Sequence, residues 1–219
     1  MMSEQLNQDN YIIFLKNNII DNDTFVLKDI PFKNFVFDRS QIFEKKVINN
    51  YFSTELCNKI IDECELYAIN RGGWTTDRHA TNPTTDLCVK DIKNILPVFL
   101  EIYTTIIGKI KEIHNIFNEN NLFTINDAFV VKYEHDKQNE LEMHSDAGDV
   151  TVNILLNDPS DFEGGGTFFE EGNQTYFLNR GDMLIHRAIS THSGLKITKG
   201  KRYVLVIFIE VYDLTSGPL

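Results

Sequence analysis

The sequence is poor in cysteine, tryptophan and proline, and no hydrophobic run is long enough to cross a bilayer. It has three cysteines, one tryptophan and five prolines in 219 residues. Cys57, Cys64 and Cys88 form no CxxC pair, and their odd number argues against a complete set of disulfides. The start, MMSEQLNQDN, lacks the basic segment and apolar core of a secretory signal peptide. We therefore expect a reduced, intracellular, cytoplasmic protein without membrane attachment.

Positive charge is also scarce. The chain has 21 Lys and Arg residues against 32 Asp and Glu residues, which gives a formal net charge of −11. A surface of this sign repels nucleic-acid phosphates and anionic lipids, so neither is an expected partner. The charge favours a cationic substrate, although it would serve solubility alone equally well. The sequence carries no indication of oligomeric state.

The first half of the sequence predicts two helices. Ser53 or Thr54 is a suitable N-cap for a helix that continues to about residue 70. A second helical pattern extends from about Asp91 to Asn118, and Pro97 is expected to kink it or to begin a new segment. The apolar positions that give the first helix its spacing are Leu56, Ile60, Ile61, Cys64, Tyr67 and Ala68.

After Asn120 the pattern changes to short runs rich in β-branched and aromatic residues, such as DVTVNILLN and RYVLVIFIEVY. Gly, Asn, Asp and Pro separate these runs, which is typical of antiparallel sandwiches and barrels. Residues 1–44 form a less regular segment, with strands expected near Phe25–Leu27 and Asn34–Phe37. We therefore predict an α+β protein in which N-terminal helices pack on a β core, with one domain over residues 45–219.

The tripeptide His144-Ser145-Asp146 places an imidazole and a carboxylate two positions apart. On a strand, residues i and i+2 project from the same face, so this pair predicts half of a metal site. A 2-His-1-carboxylate triad, which leaves positions open on non-haem Fe(II), needs one more histidine. His192 in THSG is the best candidate, because it follows the strand DMLIHRAI. His186, six positions earlier, is the competing ligand, and we interpret it as a core histidine or a neighbour of the site.

Arg202 begins the apolar strand RYVLVIFIE, ten residues after His192. On that strand it shares a face with Val204, Val206 and Phe208. A guanidinium in such surroundings is costly unless it is paired, and a carboxylate can satisfy it with two parallel hydrogen bonds. We therefore expect Arg202 to bind a carboxylate of the protein or of a ligand.

Three segments, taken together, resemble the Fe(II)- and 2-oxoglutarate-dependent dioxygenases. They are FVVKYEHDKQNELEMHSDAGDVTVNILLN, FEGGGTFFE and RGDMLIHRAISTHSGLKITKGKRYVLVIFIE. The closest likeness is to the catalytic domains of procollagen lysyl hydroxylases and prolyl 4-hydroxylases, and it is specific over residues 125–212. Over residues 45–120 it is weaker, although GGWTTDRHATNPTTD resembles a substrate-side loop of related oxygenases. Before residue 45 there is none.

The resemblance implies a fold and a ligand set. The implied fold is a double-stranded β-helix, or jelly-roll, of about eight strands. The implied metal is Fe(II), bound by His144, Asp146 and His192. The implied cosubstrate is 2-oxoglutarate, whose distal carboxylate would pair with Arg202.

The resemblance also implies a reaction. Tyr133 and Asn153 are implied contacts of 2-oxoglutarate from neighbouring strands. The reaction would consume O2, hydroxylate an unactivated carbon and release succinate and CO2, with ascorbate as a candidate reductant. Because Asp146 keeps a third protein ligand on the iron, hydroxylation is favoured over halogenation. The implied substrate is a lysyl or prolyl residue of a protein or peptide, and the negative charge favours lysyl.

Three alternatives remain open at this point. The same fold could act on a free amino acid or small metabolite, or on a nucleobase, although a net charge of −11 argues against nucleic acid. The chain could also be a jelly-roll module that binds a ligand without catalysis. The presence of His144, Asp146, His192 and Arg202 together argues against such a module.

Other polar residues carry weaker signals. Trp74, Arg78 and Asp86 could line a substrate mouth or simply stabilise their loop. Histidines without a partner at ligand spacing are interpreted as structural, and they are His79, His114 and His135. Acidic residues ahead of the predicted site form either a solvated face or a surface that attracts a lysyl side chain, and they are Glu134, Asp136, Glu140 and Glu142.

Overall fold

The computed structural model describes residue 9, residues 32–34 and residues 44–218. Two α-helices in this part of the chain, α1 (Thr54–Arg71) and α2 (Leu96–Ile113), precede the main run of strands. Short 3-10 helices lie at Val89–Asp91 and Pro159–Asp161. The prediction of an α+β protein with helices first is confirmed. The strands are β1 (Phe32–Asn34), β2 (Lys46–Ile48), β3 (Asp86–Cys88), β4 (Asn121–Glu134), β5 (Leu141–His144), β6 (Val150–Leu155), β7 (Phe162–Gly164), β8 (Thr167–Phe169), β9 (Gln174–Tyr176), β10 (Met183–Arg187), β11 (His192–Gly194) and β12 (Ile197–Pro218).

The strands form two antiparallel sheets, as the jelly-roll prediction requires. The larger sheet has the order β2-β10-β6-β12-β4-β3, and β1 and β7 also pair with β12. The smaller sheet has the order β5-β11-β8-β9. The described residues thus contain twelve strands where about eight were expected. Three of them, β1 to β3, come from the chain before residue 120 and add to the larger sheet.

Helix α1 begins where its sequence predicts. The side-chain oxygen of Ser53 accepts a hydrogen bond from the Leu56 backbone N–H, at 3.2 Å. Gly72, with φ 93°, ends the helix in the left-handed conformation that glycine adopts without strain. Helix α2 is shorter than the predicted Asp91–Asn118 pattern. It begins at Leu96, and Pro97 lies in its first turn, where a missing N–H removes no helical hydrogen bond.

Alternate residues of the central strands belong to two different hydrophobic clusters. Val130 of β4 and Leu205 of β12 belong to the core that the larger sheet shares with both helices. Val131 of β4 and Val204 of β12 face the other way, into a second cluster that includes Phe169 of the smaller sheet. Successive residues of these strands therefore point to opposite faces of the larger sheet, one facing the helices and the other facing the smaller sheet.

The N-terminal predictions are tested only where residues are described. Strand β1 overlaps the expected strand Asn34–Phe37 at Asn34, and Phe25–Leu27 lies outside the described residues. The division into residues 1–44 and 45–219 stays a prediction. In the described part of the chain, neither helix combines the length and the apolar character that a membrane span needs.

Candidate functional site

A cavity of about 540 Å³ lies between the two sheets. Its walls come from β4, β6 and β12 of the larger sheet and from β5, β8 and β11 of the smaller one. The volume is in the ordinary range for sites that bind small molecules. All six residues that the sequence singled out for metal or cosubstrate line it, namely Tyr133, His144, Asp146, Asn153, His192 and Arg202.

The three predicted metal ligands converge at the smaller-sheet side of the cavity. His144 on β5 and His192 on β11 are cross-strand partners, and their ring centroids are 4.4 Å apart. One ligand atom from each histidine and one from Asp146 all lie within 4.8 Å of one another. The prediction that His144 and Asp146 share a strand is wrong. Strand β5 ends at His144. The Asp146 backbone N–H donates to the Ala188 carbonyl, at 2.9 Å, and not to a strand that pairs with β5.

Backbone carbonyls orient both histidine rings. The Nδ1 atom of His144 lies 2.7 Å from the Glu142 carbonyl oxygen, and the Nδ1 atom of His192 lies 2.9 Å from the Ser190 carbonyl oxygen. A carbonyl can only accept, so each Nδ1 carries the hydrogen and each Nε2 keeps its lone pair. Those Nε2 atoms are 3.4 and 3.5 Å from the Asp146 carboxylate oxygens. Two imidazole nitrogens and one carboxylate so placed fit Fe(II) with positions left open.

The protonation equilibria are compatible with a metal. Burial acts to raise the pKa of Asp146, but the neighbouring histidines and the Thr151 hydroxyl lower it below its usual value, so the carboxyl is ionised at neutral pH. Burial also lowers the pKa of His192, which keeps that ring neutral. At His144 burial acts to lower the pKa, yet Asp146 raises it, so metal binding there competes with a proton.

Thr151 supports the metal ligands and was not identified from the sequence. Its fully buried hydroxyl donates to a carboxylate oxygen of Asp146, at 2.7 Å. Replacing Thr151 with valine keeps the shape and removes this bond, so we expect Fe(II) affinity to fall by roughly 10- to 100-fold. Anaerobic titration with Fe(II) measures the change. Thr151→Ser keeps the hydroxyl and serves as the control, and equal affinity in the two variants would contradict this role.

His186, the competing ligand, lies behind the triad. It is fully buried, and burial lowers its pKa to about 3. Its Nε2 atom is 4.0 Å from Asp146 but only 3.1 Å from the Asn153 amide nitrogen. Its Nδ1 atom donates to the Arg187 carbonyl, at 2.9 Å. His186 thus falls outside the group of three and connects the metal side of the cavity to Asn153.

Arg202 lies in the same cavity with only 4% of its surface exposed. Its guanidinium carbon is 5.4 Å from the ring centre of Tyr133, its cross-strand partner. Among the residues that the structure describes, no carboxylate forms an ion pair with it, and burial lowers its pKa. Gly194 makes room for Tyr133, since a Cβ there would lie 2.7 Å from the tyrosine hydroxyl. The cavity therefore offers a desolvated cation to an anionic ligand.

The opposite end of the cavity has a different composition. The Arg78 guanidinium binds Asp86 at 2.8 Å and Asp127 at 2.5 Å, and it lies 5.5 Å from the ring centre of Phe129. The ring of His79 is 4.7 Å from the same phenylalanine. Arg78 and His79 both line the cavity, and the interpretation of His79 as structural stays a prediction. The pairing of β3 with β4 brings this loop to the cavity, in agreement with its resemblance to a substrate-side loop.

Two alternatives left open by the sequence concern residues outside the cavity. Trp74 does not line the cavity, because its ring packs 6.0 Å from Tyr203 on the helix-facing side of the larger sheet. None of the four acidic residues of the cluster at 134–142 lines the cavity either. Glu134 pairs instead with Lys137 and Lys201, at 2.9 and 3.1 Å. Burial acts to raise the pKa of Glu134, but these lysines lower it to about 2.

Sequence comparison finds similar proteins. No family model matches the chain. It is 30% identical over 202 residues to human procollagen-lysine,2-oxoglutarate 5-dioxygenase 2, which covers 79% of this chain and 26% of that protein. It is 32% identical over 168 residues to chicken procollagen-lysine,2-oxoglutarate 5-dioxygenase 1, which covers 73% of this chain and 23% of that protein. The chain thus spans about a quarter of the length of these relatives.

Solved structures share the fold at lower identity. The collagen prolyl hydroxylase of Paramecium bursaria Chlorella virus-1, in complex with 2-oxoglutarate, superposes with a TM-score of 0.57 at 14% identity, covering 76% of this chain and 95% of that one. A Trichoplax adhaerens prolyl hydroxylase bound to a hypoxia-inducible-factor peptide gives a TM-score of 0.56 at 13% identity, covering 78% and 84%. At these identities the likeness concerns the fold alone.

Proposed function

The chain belongs to the Fe(II)- and 2-oxoglutarate-dependent dioxygenase superfamily, and from this premise we propose that it hydroxylates an unactivated carbon of a lysyl or prolyl residue in a protein or peptide. One observation carries the proposal. A single cavity holds a His144–Asp146–His192 ligand group and the buried, carboxylate-free Arg202. A metal site and an anion site in one enclosure are what 2-oxoglutarate, a chelating 2-oxo acid with a second carboxylate, requires.

The chain's own residues would bind and orient the reactants. His144, Asp146 and His192 would hold Fe(II), and Arg202 would pair with the distal carboxylate of 2-oxoglutarate. The metal with 2-oxoglutarate and O2 supplies the oxidising chemistry, with succinate and CO2 as products and ascorbate as the reductant in an assay. Tyr133 would flank the same carboxylate through its position against Arg202. The walls of the two sheets would exclude water from the reacting carbon.

The far end of the cavity offers apolar surface and an already paired cation to a substrate. Residues 202, 204, 206 and 208 of β12 share one face and line the cavity, so its two ends are separated by about 20 Å along the strand. At the end remote from Arg202, the charged lining residue is Arg78, and its guanidinium is paired with the carboxylates of Asp86 and Asp127. Phe129 and Phe208, with ring centroids 5.2 Å apart, offer apolar surface to an alkyl chain. These apolar rings, together with the formal net charge of −11 of the whole chain, favour lysyl over prolyl.

A peptide series tests the substrate class. Peptides with a central lysine are expected to stimulate succinate formation at least tenfold more than matched peptides with norleucine or proline, because loss of one charged hydrogen bond costs about 1.5–3 kcal/mol. Succinate is measured from 2-oxoglutarate under air with Fe(II) and ascorbate, and the modified residue is located by mass spectrometry. Stimulation by proline peptides alone would instead identify a prolyl hydroxylase.

The other candidate functions give different results in the same assay. A free amino acid, small metabolite or nucleobase that accelerates succinate formation when no peptide does would replace the peptide proposal. A non-catalytic binding module would bind Fe(II) and yet form no succinate with any of these pools. The wild-type protein and a His192→Ala variant, assayed side by side, separate enzyme-dependent succinate from background.

A further inference from the structure

The residues that flank Arg202 and Tyr133 are tied to one carboxylate on the opposite side of the larger sheet. Arg202 of β12 and Tyr133 of β4 are register partners, and the next pair along the two strands is Tyr203 with Lys132. Because successive side chains of a strand point to opposite faces, Tyr203 and Lys132 project away from the cavity, toward helix α1. Both reach Glu65 of that helix.

Glu65 is the centre of a compact polar network. Its Oε1 atom accepts from the Tyr203 hydroxyl at 2.6 Å and from the Lys132 ammonium at 2.8 Å. Its Oε2 atom accepts from the Trp74 indole N–H at 3.3 Å. The Lys132 side chain is only 8% exposed, and its ammonium lies 5.2 Å from the Trp74 ring centre. Burial acts to raise the pKa of Glu65, but Lys132 and Tyr203 lower it, so the carboxylate is ionised and holds both strands.

The backbone on either side of Arg202 lies near the end of one of its two strand pairings. Pairing between β12 and β6 ends at Val204 and Leu155, so Arg202 lies beyond the last pair of that ladder. Beyond that pair the Leu156 backbone N–H donates to the Tyr203 carbonyl at 2.9 Å, and the buried side chain of Asn157 completes the contacts. It accepts from the Tyr203 backbone N–H at 2.8 Å and donates to the Lys201 carbonyl at 2.8 Å.

A dedicated support is expected at this position on energetic grounds. The guanidinium of Arg202 is buried without a carboxylate, so it gains by moving toward water. A cosubstrate site needs that group held within a fraction of an ångström before the ligand arrives. The contact with the Tyr133 ring, at 5.4 Å, fixes the direction of the guanidinium less closely than a bidentate carboxylate would.

From this geometry we infer that Glu65 is a positioning residue for the 2-oxoglutarate pocket, acting through Tyr203 and Lys132 on Arg202 and Tyr133. The inference rests on the proposed function, since it names the cosubstrate pocket as the structure being positioned. Glu65 touches neither the cavity nor the metal ligands. Its effect is therefore confined to the affinity for 2-oxoglutarate, because the metal ligands lie on β5, on β11 and in the loop after β5.

The test replaces Glu65 with glutamine, which keeps the shape and removes the charge. We expect the KM for 2-oxoglutarate to rise by roughly tenfold, in the range of mutations in coupled networks, while kcat changes by less than about twofold. Binding is measured without turnover as well, from the rise in melting temperature that 2-oxoglutarate causes in protein loaded with Mn(II). Affinity for Mn(II) itself is expected to stay at the wild-type value.

Glu63→Gln is the matched control. Glu63 lies one half-turn away on α1 and accepts a hydrogen bond from Asn94 at 2.8 Å, away from the cavity. It is expected to leave the 2-oxoglutarate response unchanged. If Glu65→Gln does not fold, Tyr203→Phe removes one hydroxyl from the network and is expected to shift the KM in the same direction by a smaller factor.

The outcomes separate the inference from the function on which it rests. A lowered melting temperature with an unchanged KM for 2-oxoglutarate would make Glu65 purely structural and overturn the inference alone. An equal loss of kcat, or a parallel loss of Mn(II) affinity, would also overturn it. Absence of any 2-oxoglutarate response in the wild-type protein would overturn the proposed function, and the inference with it.

Discussion

Replacing Asp146 with alanine is expected to abolish succinate formation from 2-oxoglutarate while the protein stays folded. Asp146 supplies the only anionic ligand of the His144–Asp146–His192 group. Without it, two neutral imidazoles remain as ligands. The loss of activity should exceed the roughly 100-fold loss caused by removing a residue that only hydrogen-bonds to a metal ligand. The fold does not depend on this carboxylate, which lies in a loop and is buried among histidines rather than paired with a lysine or arginine of the described residues.

Asp149 provides the matched control for this experiment. It lies three residues later in the same loop, and its carboxylate accepts a hydrogen bond from the Val211 backbone N–H at 2.8 Å. Asp149→Asn keeps an acceptor there and should retain metal binding and turnover. Succinate formation and Mn(II) affinity are measured for both variants, together with circular dichroism. Turnover near the wild-type rate in Asp146→Ala would remove the metal assignment, whereas loss in both variants would point to the loop rather than the ligand.

Local patterns were sufficient to predict part of the fold. Helix α1 follows from its Ser53 cap and from apolar residues at helical spacing, and both kinds of signal lie within a few residues of one another. The position of His192 beside His144 also follows, although it depends on strand pairing. It was predicted because the triad needs a second histidine and because the spacing to Arg202 resembles that of a known family. The ligand requirement of the metal site therefore indicated a long-range contact that local periodicity does not show.

Most of the missed features depend on contacts between distant segments. Thr151 is the exception, since Asp146 is only five positions away, but nothing in DVTVNILLN indicates that its threonine donates to a metal ligand. His79 reaches the cavity because β3 pairs with β4, and Glu65 reaches Tyr203 across 138 positions of sequence. The end of β5 at His144 was missed for the same reason, since the backbone of Asp146 bonds to Ala188 of another segment. The long-range contacts depend on how distant segments pair and pack, which short-range patterns do not specify.

Arg202→Met is expected to preserve or raise the stability of the ligand-free protein and to abolish its response to 2-oxoglutarate. The guanidinium is buried without a carboxylate, so replacing it with an apolar side chain of similar length should leave the ligand-free protein at least as stable as before. The same variant should lose the response to 2-oxoglutarate, because no other guanidinium or ammonium is identified at that end of the cavity in the described residues. In the wild type, ligand at about 100 times its Kd adds about 2.7 kcal/mol.

Thermal unfolding with and without ligand measures both effects. For a chain of this size, each kcal/mol corresponds to about 2–4 °C in melting temperature. Mn(II)-loaded wild-type protein should therefore gain several degrees on addition of 2-oxoglutarate, and Arg202→Met should gain none. Arg202→Lys keeps the charge without the planar fork and should show an intermediate response. If Arg202→Met is less stable without ligand and still responds fully to 2-oxoglutarate, then Arg202 stabilises the fold and does not bind the cosubstrate. The melting temperature without ligand reports the cost of burying the Arg202 cation, and the rise on adding 2-oxoglutarate reports its role in binding. Turnover alone does not separate these two effects.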